Sequence, residues 1–519
     1  MTKRQILQAA GLVMAVSVIG RLLGFVREQV IAAKFGTTQV TDAYLVAFTI
    51  PNLLYVLIGG ALATAFIPVF TAYLKKNEDE AWEMASTLIN ATVLVMSGLC
   101  LIGILTAPYL VRLIAPGFDL NQEQLTSFLT RLMFPTIVFY SLSLLIGGIL
   151  NAYQHFAAPA FISVAYSTTV IASIFLLAGR YGIIGLALGT VVATAVQVLI
   201  QIPALRRRPG KYRLLSLNLA HPGARQVGRL ILPVMIGTAA NQIYVAVNNF
   251  LASGLIAGSI AALNFGNKLV LLPFNLFVMA IKTAIFPTMS TEAAGSDLNS
   301  LGRTTELGIK LVAIFTIPAS VGLFVLARPI VRLLFEHGAF NARSTEMTAQ
   351  ALMFLAIGLF AMSEFNLIDL VYFALQDTRT PVKCSITAVI FNIILSIILV
   401  KPLQLVGLAL SNSLASILNM LLVYWLLTPR LPSLKSRGLL MSLAKILAAS
   451  LVMGAVTYLT ALGLETRLDL AYTSHRAVQV GAAIIVGVAS YGIALFVFRL
   501  DEAFTMLNYF RRKLLVRSQ

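Results

Sequence analysis

Apolar residues in this chain come in runs about 20 residues long or in multiples of that length, and this spacing governs the reading of everything else. A helix needs about 20 apolar residues to cross a bilayer core about 30 Å thick. Between Arg131 and Arg180 lie 48 residues without Asp, Glu, Lys or Arg, and "NAYQHFAAP" at 151–159 divides them, which predicts a helical hairpin. Read this way, the chain predicts fourteen spans, centred near residues 20, 57, 98, 138, 168, 193, 240, 275, 318, 360, 391, 416, 453 and 487. The first apolar run opens after Lys3 and Arg4 like a signal segment, but it lacks a clear cleavage site and is read as a retained span.

The pattern also repeats. "TAFIP" at 64–68 returns as "TAIFP" at 283–287, "LVRLI" at 110–114 as "IVRLL" at 330–334, and "AYQHFAAP" at 152–159 as "ALQDTRTP" at 374–381. Pro51 matches Pro273, "LMF" at 132 matches 352, and "GLAL" at 185 matches 407, so the offsets stay between 219 and 222. The expected organisation is a six-helix lobe at 1–212, a homologous six-helix lobe at 213–430, and two extra helices with a basic cytoplasmic tail at 431–519. Six is even, so both lobes enter the membrane in the same direction. They are expected to be related by a pseudo-two-fold axis along the membrane normal, an arrangement that suits alternating access.

Composition agrees with this pattern: of 519 residues, 59% are hydrophobic and 11% charged, where a soluble domain has roughly 25% charged. The fold class is an all-α polytopic membrane protein. The net charge of +18 does not point to nucleic acid, because the basic residues lie in short juxtamembrane segments such as "RRRPGKYR" at 206–213, where an anionic leaflet explains them. One set of connecting segments holds 22 Lys and Arg and the opposite set holds six, which places the first set and both termini in the cytoplasm. Cys100 and Cys384 fall in or beside apolar spans and imply no disulfide framework.

Charges inside spans cost about 2.5–3.5 kcal/mol each on insertion scales and mark function by default. "SVIGRLLGFVREQVIAAKFG" at 17–36 carries Arg21, Arg27, Glu28 and Lys34. Arg21 and Glu28 share a helix face, and Gly20 with Gly24 forms a small-residue pair that admits a neighbouring helix. A guanidinium is a fork of donors suited to phosphate, so this helix is a candidate anion site, with Lys268 adding charge from the second half. The alternative is a structural ion pair between helices, with Asp42 as a partner. Pro51, Pro68, Pro273 and Pro287 bend spans two and eight, either as hinges or as static kinks.

Catalytic signals are nearly absent: His155, His221, His337 and His475 lack metal-ligand spacing, and no phosphate-binding glycine loop occurs. The chain therefore reads as a transporter, not an enzyme, without cofactor or metal, powered by an ion gradient or the membrane potential.

"GRLLGFVRE" at 20–28, "FGTTQVTDAYLVAFTIPNLL" at 35–54, "AFIPVF" at 65–70, "APGF" at 115–118 and "QDTRTPVK" at 376–383 resemble the MurJ (MviN) family of bacterial lipid II flippases, over essentially the whole length. That family lies within the superfamily of multidrug extruders and polysaccharide exporters. The resemblance implies a bacterial cytoplasmic (inner) membrane protein that flips lipid II, undecaprenyl-pyrophosphate bearing a disaccharide pentapeptide, to the outer leaflet. It implies that Arg21, Arg27, Glu28, Asp42 and Lys268 line a cationic central cavity for the head group. It also implies that the two extra helices line an apolar groove for the lipid tail, with membrane lipids and cell-wall synthesis proteins as further partners.

The sequence departs from the family pattern at three positions. Lys268 stands where other members carry arginine, Tyr55 where some carry an arginine after "PNLL", and Leu271 where an acid follows the basic position of helix eight. Where some relatives bind sodium through an acid on helix eleven, this chain offers Asn392 and Ser396, so the membrane potential is the more economical expected driving force. Rival readings are a flippase for another polyprenyl-linked glycan, an ion-coupled multidrug extruder of the same superfamily, and a non-transporting scaffold that recruits envelope enzymes through 205–229.

Overall fold

The computed structural model describes residues 3–207, 212–214 and 216–500. The expected basic tail after residue 500 and residues 208–211 of the "RRRPGKYR" segment lie outside the described residues. Every regular element among the described residues is helical. Two compact units divide the chain, Met1–Ala261 with His337–Phe340, and Ala262–Glu336 with Asn341–Gln519.

The helices of the first unit are α1 (Lys3–Phe35), α2 (Gln39–Leu54), α3 (Ala61–Lys76), α4 (Glu78–Ile114), α5 (Leu120–Met133), α6 (Thr136–Ala152), α7 (Ala157–Tyr181), α8 (Ile183–Leu199), α9 (Ile202–Arg206) and α10 (Pro222–Ser253). Next come α11 (Ser259–Pro273), α12 (Met279–Ala294), α13 (Leu298–Val325), α14 (Ala327–Phe335), α15 (Ala342–Ala356), α16 (Leu359–Ala374), α17 (Arg379–Leu427), α18 (Arg437–Glu465) and α19 (Thr473–Val497). All but the first residues of α11 belong to the second unit. Eleven helices among the described residues are long and apolar enough to cross a membrane, counting α2 with α3, α5 with α6, α8 with α9 and α11 with α12 as continuous; α15 and α16, bent by 45°, make a twelfth if they form one span. The 49-residue α17 is two helices meeting at Gln404, where the backbone turns left-handed (φ 49°, ψ −124°).

Backbone features recur at the spacing of the sequence repeats. Left-handed residues occur at Gly36 and Gly258, at Gln154 and Gln376, and at Gly182 and Gln404, each pair 222 residues apart. Such a conformation is uncommon outside glycine, yet three of these six residues are glutamine. Helix caps recur in the same way. Asp119 accepts the N–H of Gln122 (2.8 Å) at the start of α5, and Asn341, 222 residues later, accepts that of Ser344 (3.0 Å) at the start of α15.

The prolines recur with their consequences. Pro51 precedes a π-helical turn at Tyr55–Gly60, and Pro273 precedes one at Phe274–Val278. Proline supplies no N–H and crowds the carbonyl four residues back, so the ladder is interrupted and a wider turn forms nearby. Pro68 and Pro287 lie inside α3 and α12, which continue through them.

In the first unit, Phe66 and Phe70 of α3 pack with Trp82 and Met84 of α4 and Leu145 and Ile149 of α6. In the second, Ala313 and Ile317 of α13 pack with Ile446 and Ala449 of α18 and Ala494 and Leu495 of α19, so the two extra helices share the core of their unit. Large apolar side chains such as Leu105, Leu176 and Ile485 are exposed, as a lipid-facing surface requires. Hydroxyls within the spans turn back onto their own helix, for example Thr130 onto the Thr126 carbonyl (2.7 Å) and Thr316 onto that of Val312 (2.8 Å), which satisfies them without water.

The repeated motif at 376–383 ends in a cap. Asp377 accepts the N–H groups of Arg379 and Thr380 (both 3.1 Å), the Thr380 hydroxyl (2.7 Å) and the Arg430 guanidinium (2.8 Å). The hydrogen bonds from Thr380, aided by Arg430, hold its carboxyl down to about 2. A depressed carboxyl stabilises the fold above its unfolded value of about 4, and that contribution is lost as pH falls from there through about 2. Thermal unfolding of the detergent-solubilised protein should therefore weaken across that window, and Asp377→Asn should flatten this limb. An unchanged acid limb would refute the assignment.

Candidate functional site

Helix α1 carries three of the expected ligands. Gly20 lies so close to Ser163 of α7 that an added Cβ would collide with its hydroxyl, and Gly24 faces Ser167 at 3.9 Å. The two glycines thus let α1 lie against α7, as their spacing suggested. This close approach sets Arg27 over the Tyr166 ring of α7, with the guanidinium carbon 5.1 Å from the ring centroid. Glu28, 8% exposed, takes the Arg27 guanidinium at 2.6 Å. Arg21, on the face that the sequence assigned to Glu28, is exposed.

Around this pair stand tyrosines, of which the sequence reading singled out Tyr55 alone. Tyr166 neighbours Tyr140 (6.2 Å between centroids), and Tyr140 stacks on Tyr55 (4.7 Å). The Tyr44 hydroxyl is hydrogen-bonded to that of Thr190 at 2.9 Å. Tyr55, the residue in place of the arginine expected from the family pattern, thus begins a π-helical turn and joins a run of phenol rings that ends at Arg27. Aromatic faces attract cations and hold a guanidinium in place while leaving its donors available. No sequence signal marked Tyr44, Tyr140 or Tyr166, since aromatics in apolar spans are ordinary.

Asp42 is 3% exposed, and its two carboxylate oxygens accept the N–H groups of Gly258 (2.6 Å) and Ala261 (2.8 Å). These are donors at the start of α11, where unsatisfied N–H groups and the helix dipole favour an anion. Gly258 has φ 92°, and an added Cβ would strike the Thr37 carbonyl, so the turn that presents its N–H requires glycine.

In the second unit, Lys268 of α11 is partly buried, five residues before Pro273 and its π-helical turn. Asn392 donates to Asn412 (2.9 Å) and Ser396 bonds to Ser411 (2.6 Å), so these two polar residues join the two helices of α17. An apolar cavity of about 770 Å³ lies along α13 and α18, lined by Phe324, Phe360, Leu443, Leu447, Leu451 and Tyr458. Another of about 490 Å³ reaches α19, with Phe277, Phe315, Leu323, Ile484 and Tyr491 in its walls. The sequence reading also passed over Glu364, an acid inside the apolar α16, and a search for acids within the spans would have found it.

Residues 31–469 match the family model described as lipid II flippase MurJ. A lipid II flippase MurJ from Burkholderia cenocepacia is 30% identical over 510 residues, covering 96% of this chain and 97% of its own length. A probable lipid II flippase MurJ from Vibrio cholerae is 31% identical, covering 81% and 82%. A solved lipid II flippase MurJ in an inward closed conformation superposes with a TM-score of 0.81 at 26% identity, over 94% of this chain and 99% of that one. An inward-facing multidrug transporter of the MATE family shares the fold at a TM-score of 0.71 and 14% identity, over 82% of this chain and 99% of that one. With the family model spanning most of the chain and its curated members aligning nearly end to end, this polytopic helical protein belongs to the MurJ family of lipid II flippases.

Proposed function

We infer that this chain is a lipid II flippase of the bacterial inner membrane, carrying the lipid-linked disaccharide pentapeptide from the cytoplasmic to the outer leaflet by alternating access. The observation that carries this reading is a chain of this family that holds a charge pair on its first helix and an apolar groove along its extra helices. Arg27 and Arg21 contact the pyrophosphate as forks of donors, Glu28 and the tyrosines orient Arg27, and Lys268 adds a point charge. Asp42 serves this site by fastening α11, the helix that bears Lys268. The groove beside α13 and α18 takes the polyprenyl tail at roughly 25 cal/mol per Å² of apolar surface buried.

In this reading the chain crosses the membrane fourteen times, through α1, the twelve candidate spans and the division of α17 at Gln404, with both termini in the cytoplasm. Its lobes are 1–212 and 213–430, followed by two extra helices and a basic tail. Pro51 and Pro273, with the π-helical turns beside them, are the hinges; Pro68 and Pro287 are secondary bends. The membrane potential, about 2.3 kcal/mol per charge per 100 mV, acts on the charged complex. Other cell-wall synthesis proteins are its neighbours in the membrane.

The test is replacement of an essential lipid II flippase in cells by this protein, with lipid II measured in the outer leaflet. Restored delivery is the expected result. Protein that is made and inserted while lipid II stays inside would overturn the reading.

A further inference from the structure

Glu364 of α16 is 2% exposed, and neither of its carboxylate oxygens has a hydrogen-bond partner. Glu306 and Asp369 of the second unit have a cation nearby, and Glu292 has one of its two oxygens hydrogen-bonded. Glu306 is paired with Lys310 (3.0 Å), and Asp369, five residues after Glu364, shares its surroundings with Lys282. An ionised carboxylate buried without partners costs several kcal/mol even after relaxation, whereas a protonated one sheds most of that cost. The position therefore suits a group that is neutral in this arrangement of the helices.

The neighbours of Glu364 bear this out. Helix α16 packs against α12, α13, α17 and the π-helical turn at Phe274–Val278, and that turn brings no ionisable group. From α12, Lys282 reaches Asn366 (3.4 Å), and Glu292 accepts the Thr304 hydroxyl (2.9 Å). From α13 come Glu306 and Lys310, already paired. From α17, Tyr424 lies within electrostatic range of both Glu306 and Glu364, but its hydroxyl donates to the Leu434 carbonyl (2.6 Å). No cation is left over for Glu364 among these groups. Nor is there a ligand cage: among the described residues no three His, Cys, Asp or Glu side chains gather as a metal site, while hard cations take about six oxygens. A proton is the one cation that a solitary carboxylate binds without further ligands.

We propose that Glu364 is a proton site of the transport cycle: protonated in the arrangement described here, it releases its proton to water in another arrangement of α16, which couples lipid II movement to a pH gradient. The exchange breaks one carboxyl O–H bond and passes the proton to water, leaving a carboxylate that is hydrated while exposed, and reprotonation reverses it. This proposal rests on the flippase reading and adds the coupling ion to it. Intramembrane acids mark proton relays in pumps and transporters in general.

The test uses the full-length protein in liposomes carrying labelled lipid II, with the membrane potential clamped and a pH gradient imposed. Wild-type flipping should respond by up to about tenfold per pH unit if one proton accompanies each lipid. Glu364→Gln should flip without a gradient yet lose that response, and Glu364→Asp, which keeps an ionisable group, should retain it. A gradient response in Glu364→Gln equal to wild type, or none in the wild type, overturns the proposal. Should the wild type move no lipid II at all, the flippase reading falls. Glu364 is then judged by infrared titration: a neutral-carboxyl band at neutral pH that vanishes in Glu364→Gln supports a proton site, and its absence from the wild type refutes it.

Discussion

Replacing Arg27 with alanine is expected to abolish most lipid II flipping in reconstituted vesicles. Arg27 combines a 2.6 Å ion pair to Glu28 with a place over the Tyr166 ring, so its fork of donors is held at a fixed angle before substrate arrives. Hydrogen bonds to charged groups are worth about 1.5–3 kcal/mol, which corresponds to a loss of roughly ten- to a hundred-fold. The alanine variant also leaves Glu28 buried without its cation, at a cost of about 3–5 kcal/mol in stability. Arg27→Ala with Glu28→Gln separates the two effects: folding should recover and flipping should not. Arg27→Lys should be intermediate, keeping the charge without the fork. Full flipping by a folded Arg27→Ala protein would remove Arg27 from the site.

Asp42→Ala should be the most destabilising single substitution of the charged set. Its carboxylate satisfies the Gly258 and Ala261 N–H groups in a site 3% exposed, and alanine leaves both donors buried and unanswered. At about 1–3 kcal/mol for each orphaned group, the expected loss is about 2–6 kcal/mol. Asp42→Asn keeps one carbonyl oxygen but turns an amine toward a donor, so it should fall between wild type and alanine. Thermal unfolding in detergent measures both; an unaltered midpoint for alanine would mean that the cap contributes nothing. Because the damage is to the anchoring of α11, Asp42→Asn at a temperature where it is folded should still bind lipid II.

The class, the duplication and the charged first helix were legible because they rest on composition, on spacing and on residues costly in a bilayer. The prolines announced where α2 and α11 break, although not that each break is followed by a π-helical turn. Asp42 was legible as a charge but not as a cap, because its partners are backbone N–H groups, which every residue but proline carries. Gly258 was the only hint, and its left-handed conformation is invisible without its counterpart at Gly36. The tyrosine run from Tyr55 to Tyr166 was hidden for a related reason. Its members come from α6, α7 and the turn after α2, and nothing in the linear order joins them. The sequence reading set Glu28 on one helix face with Arg21, and its pairing with the adjacent Arg27 came only from the structure.

The closeness of Gly338 and Ala339 to α1 has a consequence for how the protein is made. An added Cβ at Gly338 would strike the Ala33 carbonyl, and the Ala339 N–H donates to that same carbonyl (2.8 Å), so the first unit includes residues that reach the translocon some 300 positions later. At about 5–20 residues per second, α1 waits tens of seconds for the segment that packs on it. The second unit waits in turn for Ala494 and Leu495, which complete the core around α13. Insertion and folding are therefore interleaved, and a ribosome stalled near residue 300 would hold a first unit lacking its final piece.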